Sequence, residues 1–349
     1  MKNLFVTGGC GFIGSNFIQY LLRRDDFHGR VINVDTLTYA GNPDNLKGVK
    51  EEYPERYFFE RADICDFAIM EKIFSDYHCD SICHFAAESH VDRSIKRPDA
   101  FINTNIIGTF NLLELGRLNL DTFVLFHHIS TDEVYGSLGQ KGLFTETTPY
   151  RPNSPYSASK ASSDHLVRAY NKTYGLPTTI SNCSNNYGPY QFPEKLIPLI
   201  ILNATNWEKL PVYGDGKHIR DWLYVEDHCD AIWAIMKSGK RGETYNIGGD
   251  MEIENIRIVE MICDILDAIP VIKGSRSRRE LITFVKDRPG HDRRYAIDFT
   301  KLKTELNWSP LESFESGMKK TVSWYLENVD WVKRIRNGEY QSWISEQYG

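Results

Sequence analysis

Tyr156 and Lys160 are the first side chains in this sequence that could carry out chemistry as a pair. They lie in the run YSASK, and a spacing of four residues places both on one face of a helix. A phenol has a pKa of about 10 and becomes a base near neutral pH only if that pKa falls by about three units. A neighbouring ammonium group lowers it. The spacing therefore predicts a base for a hydroxyl proton, although it also occurs by chance in ordinary helices.

Two adjacent carboxyl groups form a second reactive set, in the run ISTDEVYG. Asp132 and Glu133 follow Thr131 at the end of a predicted strand, where open α/β sheets bind ligands. If the environment separates their pKa values, the protonated carboxyl assists a leaving hydroxyl and the ionised one removes a carbon-bound proton. This combination predicts elimination of water, with the threonine hydroxyl bonded to the reacting alcohol. Taken alone, neighbouring acids are more often solvated loop charges.

A glycine-rich loop near the N-terminus indicates a dinucleotide cofactor. The run TGGCGFIG fits GxGxxG from Gly9 and GxxGxxG from Gly8, with Gly11 and Gly14 common to both frames. Such a loop lets the backbone approach a pyrophosphate at a helix N-terminus. Asp35 ends the next strand, where a carboxylate binds ribose hydroxyls and repels a 2′-phosphate. The sequence therefore predicts NAD, whose nicotinamide charge would help to lower the pKa of the phenol. A turn-forming role for the carboxylate is the alternative.

The elements that must position these groups alternate along the chain. Short apolar runs predict strands at 3–7, 30–35, 57–60, 81–86 and 123–129. Helical periodicity predicts helices at 12–24, 69–77, 98–118 and 157–174. Strands that alternate with helices predict a doubly wound α/β fold of Rossmann type, with helices on both faces of a parallel sheet.

The chain changes character after residue 180, where loops become longer and elements shorter. We predict an NAD-binding domain over 1–180 and a smaller mixed α/β substrate domain over 181–349. The segment 221–250 resembles the earlier alternating units, and we expect it to return to the sheet. The boundary is therefore predicted to be interleaved.

Composition excludes several classes of protein. The 349 residues include 41 basic and 47 acidic side chains, and a net charge of −6 provides no general attraction to nucleic acid or to a membrane. The longest apolar run, 196–202, is too short to cross a bilayer. With no signal peptide evident and seven scattered cysteines, we predict a cytoplasmic protein with neither disulfides nor a metal site. The basic cluster 273–279 is predicted to be a surface loop.

Taken together, these residues resemble the extended short-chain dehydrogenase/reductase family, and its dehydratase branch in particular. The resemblance covers nearly the whole chain, through the runs TGGCGFIGSN, VDTLTYAGN, HFAAESHVDRSI, ISTDEVYG, SPYSASKASSDHLVRAY, NCSNNYGPYQFPEKLIP, PVYGDG, IRDWLYVEDH, YNIGG and DRPGHDRRYAID. The glycine loop and the Tyr-Lys pair are typical of the superfamily, whereas STDEVYG, AAESHVDRS and DRPGHD indicate the dehydratases. Cys10 departs from the small residue that is usual at that position.

The resemblance implies a reaction that agrees with these roles. The substrate would be dTDP-glucose, and Tyr156 would take the proton of the 4-hydroxyl while hydride passes from C4 to NAD. Glu133 as base and Asp132 as acid would then expel water across C5 and C6. Return of the hydride to C6 would give dTDP-4-keto-6-deoxyglucose.

The resemblance also implies the binding residues and the assembly. Besides Tyr156 and Lys160, the implied cofactor contacts are Gly8, Gly11, Phe12, Ile13, Gly14, Asp35, Thr36, Leu37, Thr38, Asp63, Ile64, Phe85, Ala86, Ala87, Glu88, Thr104 and Asn186. The implied substrate contacts are Ser89, Thr131, Asn185, Lys195, Leu196, Pro211, Val212, Tyr213, Arg220, Asn255, Asp287, Arg288, Pro289, Gly290 and His291. A homodimer is implied, joined through the helices at 98–118 and 157–174.

Alternatives remain open at this stage. A nucleotide-sugar 4-epimerase or decarboxylase would use the same loop and Tyr-Lys pair without an elimination pair, and a catalytically idle NAD-binding scaffold is a further alternative. Arg220 suits a diphosphate because a guanidinium forks onto phosphate oxygens, but a surface ion pair would also explain it. His291 is equally compatible with an ordinary loop position. We interpret His127 and His128 as strand residues.

Overall fold

The computed structural model of the chain describes residues 1–272, 276–287 and 290–336. Its centre is a seven-stranded sheet in the order β3-β2-β1-β4-β5-β6-β10, in which every neighbouring pair is parallel. The chain reverses its direction of winding between β1 and β4, which is where doubly wound sheets open a crevice at the carboxyl ends of the strands. This confirms the predicted fold class.

The strands of the large sheet are β1 (Asn3–Thr7), β2 (Arg30–Asp35), β3 (Tyr57–Arg61), β4 (Ser81–His84), β5 (Leu125–Thr131), β6 (Thr178–Cys183) and β10 (Thr244–Ile247). A three-stranded sheet contains β7 (Asn185–Tyr187), β9 (Ile219–Tyr224) and β11 (Glu252–Glu254). A parallel pair contains β8 (Leu210–Tyr213) and β12 (Ile282–Val285).

The helices in the first half of the chain are α1 (Phe12–Leu22), α2 (Val49–Glu52), α3 (Phe67–Asp76), α4 (Val91–Lys96), α5 (Pro98–Phe101), α6 (Thr109–Leu118) and α7 (Pro155–Tyr174). Those that follow are α8 (Leu196–Thr205), α9 (Val225–Ser238), α10 (Asn255–Ala268), α11 (Thr300–Leu306), α12 (Phe314–Glu327) and α13 (Val329–Ile335). Short 3₁₀ turns occupy Pro43–Leu46, Asp132–Tyr135, Pro270–Ile272 and Arg278–Leu281.

Both faces of the large sheet are covered by helices, which explains why a strand such as β1 is a nearly continuous apolar run. On one face α1 and α9 pack over β1 and β10 through residues such as Phe17 and Trp233. On the other face α3, α6 and α7 bury Phe74 and Leu112 with β4 and β5. The C-terminal elements α8, α10 and α12 form a separate apolar core. The sheet therefore provides a rigid base whose upper edge carries the polar groups.

Two features differ from the pattern predicted along the chain. The segment 98–118 is not one regular α-helix, because a π-helical stretch, Ile102–Gly108, separates α5 from α6. The predicted boundary after residue 180 falls inside β6, which pairs with β5 from Phe126 to Thr131 in the large sheet. The sequence around 181 is rich in Ser and Asn, and this polar composition concealed a buried strand. β10 also lies in the large sheet, beside β6.

The basic cluster 273–279 is only in part the predicted surface loop, since Arg276 and Arg279 are exposed as expected. Residues 273–275 lie outside the described residues, but Arg278 is fully buried. Its guanidinium forms an ion pair with Asp267 at 2.7 Å and donates to the carbonyl oxygen of Ala204 at 2.9 Å. Arg278 therefore connects α10 to the end of α8.

All seven cysteine thiols are unpaired, and only Cys65 is more than marginally exposed. Among the described residues, no helix combines the length and the apolar character needed to cross a bilayer.

Candidate active site

The glycine loop between β1 and α1 has the close approaches that only glycine permits. Gly8 has a φ of +71°, and a Cβ there would lie 2.6 Å from the backbone nitrogen of Ala86. A Cβ on Gly14 would lie 2.4 Å from the carbonyl oxygen of Gly8. Gly11 caps α1 without any side-chain hydrogen bond. The first amides of α1 therefore point into the crevice with the positive end of the helix dipole, as a pyrophosphate site requires.

Asp35 stands at the end of β2 and is nearly buried. Its two carboxylate oxygens accept hydrogen bonds from the backbone amides of Cys10 at 2.9 Å and Leu37 at 2.8 Å. Burial nevertheless raises the pKa of this carboxyl group. The carboxylate thus organises the turn, and each oxygen keeps further acceptor capacity toward the cleft it lines.

A cleft of about 380 Å³ runs along the carboxyl edge of the sheet above the glycine loop. The predicted cofactor residues that line it are Gly8, Gly11, Phe12, Ile13, Gly14, Asp35, Thr36, Thr38, Asp63, Ile64, Phe85, Ala86, Ala87, Glu88, Thr104, Tyr156, Lys160 and Asn186. Leu37 is outside this lining and instead shapes the turn through its amide. The tertiary structure therefore brings together residues from seven separate segments of the chain.

The predicted catalytic residues line the same cleft. Thr131, Asp132 and Glu133 come from the end of β5, and Tyr156 and Lys160 come from the first two turns of α7. A capping box fixes the start of α7, because the side chains at the cap and three residues later bond to each other's backbone amides. The geometry thus unites two sequence patterns that lie more than twenty residues apart.

Asp132 occupies an environment that favours the protonated acid. Its side chain is buried, and burial, followed by the charges of Glu133 and Asp221, raises its pKa well above the usual value despite the opposing charge of Arg220. Glu133 is only partly buried. The two adjacent carboxyls therefore sit in different surroundings, as an acid and base pair requires.

The expected lowering of the pKa of Tyr156 is not a property of the polypeptide alone. Burial and then the charge of Glu133 raise that pKa well above 10, and the hydrogen bond with Thr131 only partly opposes them. Burial also lowers the pKa of Lys160 to about 8, so the lysine releases its proton more readily than a lysine in water does. The sequence-based expectation counted Lys160 and the positively charged nicotinamide together and left out the desolvation of the phenol, so the lowering of this pKa stays a prediction for the cofactor-bound protein.

A second pocket of about 160 Å³ adjoins the first and shares Glu133, Asn185 and Lys195 with it. The predicted substrate residues that line one or both pockets are Ser89, Thr131, Asn185, Lys195, Leu196, Pro211, Val212, Tyr213, Arg220, Asn255 and His291. Asp287 and Gly290 are outside both linings, and Arg288 and Pro289 lie outside the described residues. The pocket is therefore built mainly from the C-terminal elements.

Arg220 is not a surface ion pair. Its side chain is buried, lies over the ring of Tyr295 with 4.3 Å between guanidinium and ring centroid, and donates to the carbonyl oxygens of Ile219 at 2.8 Å and Asp292 at 3.0 Å. These contacts hold the planar group at the wall of the second pocket. A buried guanidinium retains its charge, so this wall is suited to an anion.

His291 is also not an ordinary loop histidine. Its ring stacks on His218 with centroids 3.7 Å apart, and its Nδ1 lies 2.6 Å from a carboxylate oxygen of Asp287. The side chain of His291 is only 4% exposed. Asp287 thus contributes to the second pocket by fixing His291.

Several residues near the site were missed by sequence reasoning. Gln191 and Glu194 line both pockets, and Cys183 lines the cleft. Asp164 and His128 lie directly behind Lys160. The position of Asp164 was detectable, because it lies one helical turn after Lys160 on the same face. Gln191 and Glu194 lie in a loop that has no period in the sequence, whereas Cys183 and His128 lie on β6 and β5 and approach the site through the pairing of the sheet.

These features define a class: a dinucleotide-binding fold of the oxidoreductase type whose cleft contains a Tyr-Lys pair and two adjacent carboxyl groups. The family model described as GDP-mannose 4,6 dehydratase matches residues 5–321. A curated relative from Shigella flexneri, "dTDP-glucose 4,6-dehydratase", is 56% identical over 361 aligned positions that cover 99% of this chain and 98% of that protein.

Solved structures give the same result. The dTDP-glucose 4,6-dehydratase from Bacillus anthracis, in complex with NAD, is 46% identical with a TM-score of 0.86, and 96% of this chain and 100% of that chain are covered. The enzyme of the same name from Streptomyces venezuelae is 43% identical with a TM-score of 0.87, and the covered shares are 95% and 99%. The chain belongs to the extended short-chain dehydrogenase/reductase family, among the dTDP-glucose 4,6-dehydratases.

Proposed function

We propose that the chain catalyses the NAD-dependent conversion of dTDP-glucose to dTDP-4-keto-6-deoxyglucose with loss of water, as a hydro-lyase. The observation that carries the proposal is the burial of Asp132 beside Glu133 in the cleft that also contains Tyr156. An enzyme that only oxidised or epimerised C4 would not need a protonated carboxyl at this place. The names of the relatives support the same substrate.

The residues present fit NAD. The glycine loop leaves no room for a Cβ where a pyrophosphate would approach, and Asp35 presents a carboxylate where a ribose would lie and a 2′-phosphate would be repelled. Lys160 lines the same cleft and would bind the nicotinamide ribose. When bound, NAD accepts a hydride from C4 of the sugar and returns it to C6.

The side chains then divide the proton transfers among themselves. Tyr156 removes the proton of the 4-hydroxyl, and Thr131 bonds to the same oxygen. The resulting 4-ketone acidifies the hydrogen on C5, which Glu133 removes, while Asp132 donates its proton to the departing 6-hydroxyl. Glu133 finally returns its proton to C5. The proton balance closes when the proton held by Tyr156 passes to Asp132 and restores its acid form. The Thr131 hydroxyl provides the route for this proton, because it is hydrogen-bonded to Tyr156 and lies 3.4 Å from a carboxylate oxygen of Asp132.

We assign the second pocket to the nucleotide diphosphate. Arg220 and Lys195 both line this pocket and supply positive charge, and Asn185 lines both this pocket and the catalytic cleft. Such placement directs the glucose toward Asp132 and Glu133. Selectivity for thymine rests on the relatives' names alone, and parallel assays with dTDP-, UDP-, CDP- and GDP-glucose determine it.

The fate of the hydrogen on C4 tests the reaction type. With dTDP-glucose deuterated at C4, we expect product that carries deuterium at C6, because the hydrogen taken from C4 is returned there. NMR or mass spectrometry of the product locates the label. Deuterium retained at C4 in a hexose that has kept its 6-hydroxyl would favour a 4-epimerase and contradict dehydration. Bound cofactor without turnover of any nucleotide sugar would favour the idle scaffold.

We also propose a cytoplasmic homodimer joined through the segment 98–118 and α7. Cytoplasmic location suits an enzyme with seven unpaired thiols.

Support for the dimer comes from apolar side chains on the surface of the segment 98–118. Ile102, Ile107, Phe110 and Leu118 are each more than 40% exposed. Tyr174 at the end of α7 is similarly exposed. Together they would form an apolar patch that a second copy can cover.

Charge placed in this patch is expected to separate the subunits. For the double variant Ile107→Glu and Phe110→Glu, we expect a mass near 40 kDa in sedimentation equilibrium, against about twice that for the wild type. Leu143→Glu and Phe284→Glu, at exposed apolar positions elsewhere, serve as the control. A dimer that survives the first pair of changes would place the interface on another face.

A further inference from the structure

A buried polar network lies behind Lys160, on the side away from the cleft. The ammonium of Lys160 donates to the carbonyl oxygen of Ile129 at 2.8 Å and lies 3.4 Å from Nε2 of His128. The same Nε2 lies 3.3 Å from a carboxylate oxygen of Asp164. His128 and Asp164 are fully buried. His128 therefore lies between the catalytic ammonium and a carboxylate that has no contact with either pocket.

An ionised carboxylate at this depth needs strong compensation, since burying an unpaired charge costs several kcal/mol. One oxygen of Asp164 accepts hydrogen bonds from the hydroxyls of Ser130 at 2.9 Å and Tyr150 at 2.8 Å. Arg168 donates to the Tyr150 hydroxyl at 2.6 Å. These bonds hold the charge of Asp164 in place. The other oxygen faces His128 and, beyond it, Lys160.

The imidazole can serve only one neighbour at a time through Nε2. With a hydrogen on Nδ1, Nε2 accepts from the ammonium of Lys160, and with a hydrogen on Nε2 it donates to Asp164. Nδ1 of His128 has no hydrogen-bond partner, so nothing else in its surroundings selects the tautomer. The tautomer of His128 therefore decides whether Nε2 accepts a hydrogen bond from Lys160 or donates one to Asp164.

We propose that Asp164 and His128 are positioning residues that hold the side chain of Lys160 and keep it protonated for the first step of the reaction. The inference rests on the proposed function, in which Lys160 assists Tyr156. It extends that function by assigning a role to two groups that touch neither cofactor nor substrate.

The charges around the network have the sign that the proposal needs. Burial lowers the pKa of Lys160 to about 8, and Asp164 is the first of the groups that raise it. Burial and the charge of Lys160 lower the pKa of His128 to about 4, so the imidazole is neutral at neutral pH. For Asp164, burial raises the pKa, but His128, Lys160 and Arg168 together outweigh it and leave the pKa below the usual value.

Every element packed around the network contributes to this balance. His84 on β4 packs beside His128 with ring centroids 5.3 Å apart, and burial lowers its pKa, so it is neutral as well. Cys183 on β6 faces Lys160, and burial raises the pKa of its thiol to about 12, so it carries no charge at neutral pH. Burial raises the pKa of Tyr150 above its usual value, so its phenol is neutral. Asp164 therefore provides the negative charge that this network directs toward Lys160.

Removal of that charge by Asp164→Asn should make Lys160 easier to deprotonate. The direct measurement is the reactivity of Lys160 toward trace acetic anhydride as a function of pH, followed by mass spectrometry of its peptide. We expect a midpoint near 8 in the wild type and a midpoint at least about one unit lower in the variant. The rate of the first oxidation should fall roughly fivefold at pH 8 and recover at pH 6, because a one-unit shift leaves the amine charged only at the lower pH.

His127→Asn is the matched control. His127 is an equally buried neighbour on β5 whose ring contacts Thr179 at 2.8 Å and Ser181 at 3.2 Å instead of Lys160. We expect no change of the Lys160 midpoint in this variant. If Asp164→Asn fails to fold, as judged by circular dichroism, the same pH midpoint of Lys160 is measured in His128→Gln. This variant removes the imidazole that lies between Lys160 and Asp164 and keeps a polar side chain at its position. An unshifted midpoint in the folded variant would refute the inference, while deuterium transfer from C4 to C6 would still support the proposed function.

Discussion

Replacement of Tyr156 by phenylalanine is expected to stop the reaction at its first step. Phenylalanine keeps the ring, which packs against Phe101 with centroids 6.3 Å apart, and removes only the hydroxyl that takes the proton from the 4-hydroxyl of the sugar. A positioned general base contributes roughly 10² to 10⁴ in rate, and Tyr156 is the proposed base for the step on which all later steps depend. We therefore expect no detectable reduced cofactor in a single turnover.

The measurement is nicotinamide absorbance after rapid mixing of the NAD-loaded variant with dTDP-glucose. Tyr170→Phe provides a control on the same helix, because the Tyr170 hydroxyl bonds to Glu114 outside the cleft. That variant should reduce its cofactor at a rate close to the wild type. Reduction by Tyr156→Phe at a normal rate would show that another group takes the proton, and Thr131 would be the first to examine.

Asp132→Asn and Glu133→Gln are expected to separate oxidation from elimination. Each variant should lower dehydration roughly 10²- to 10⁴-fold, because each removes one positioned proton-transfer group. Cofactor binding should be unchanged, since neither side chain is assigned to it. In single turnover, both variants should still form reduced cofactor and then fail to release the 4-keto-6-deoxy product.

Product analysis by NMR, together with a titration of NAD binding, checks these outcomes. Asp121→Asn and Glu51→Gln, at exposed positions far from the cleft, control for the chemical change itself. Undiminished formation of the 4-keto-6-deoxy product by both Asp132→Asn and Glu133→Gln would remove the pair from the mechanism.

Asp132→Asn should also leave the fold at least as stable as the wild type. The pKa of Asp132 is raised in the folded protein, so this carboxyl favours the folded state below its unfolded pKa, and the benefit is lost as the pH rises. Near neutral pH the carboxyl of Asp132 ionises when the chain unfolds, and this ionisation favours the unfolded state. The asparagine amide has the same shape and does not ionise, so it removes this contribution to unfolding. Thermal denaturation at pH 7 measures the difference, and a markedly lower midpoint would mean that Asp132 is ionised in the folded protein.

The order of elements in the N-terminal half was readable from the sequence because β1, β2, β4 and β5 are buried on both faces and the longer helices are buried on one. Burial on both faces gives a strand that is a short apolar run, and burial on one face gives a helix whose apolar residues recur every three to four positions, so these elements could be located along the chain. The strand β6 broke the rule. Its polar residues face neighbours such as His127 and Tyr135, so hydrogen bonds rather than apolar contacts fill its surroundings.

The sequence by itself determined the chemical inventory of the site: the glycine loop, the carboxylate of Asp35, the Tyr-Lys spacing and the adjacent acids. These are local features, since each depends on residues within a turn or a loop. The tertiary structure alone decided which of these groups are charged. The depth of Asp132, the neighbours of Tyr156 and the placement of His128 between Lys160 and Asp164 depend on strands and helices from distant parts of the chain, and protonation depends on the burial and charge that only such packing creates.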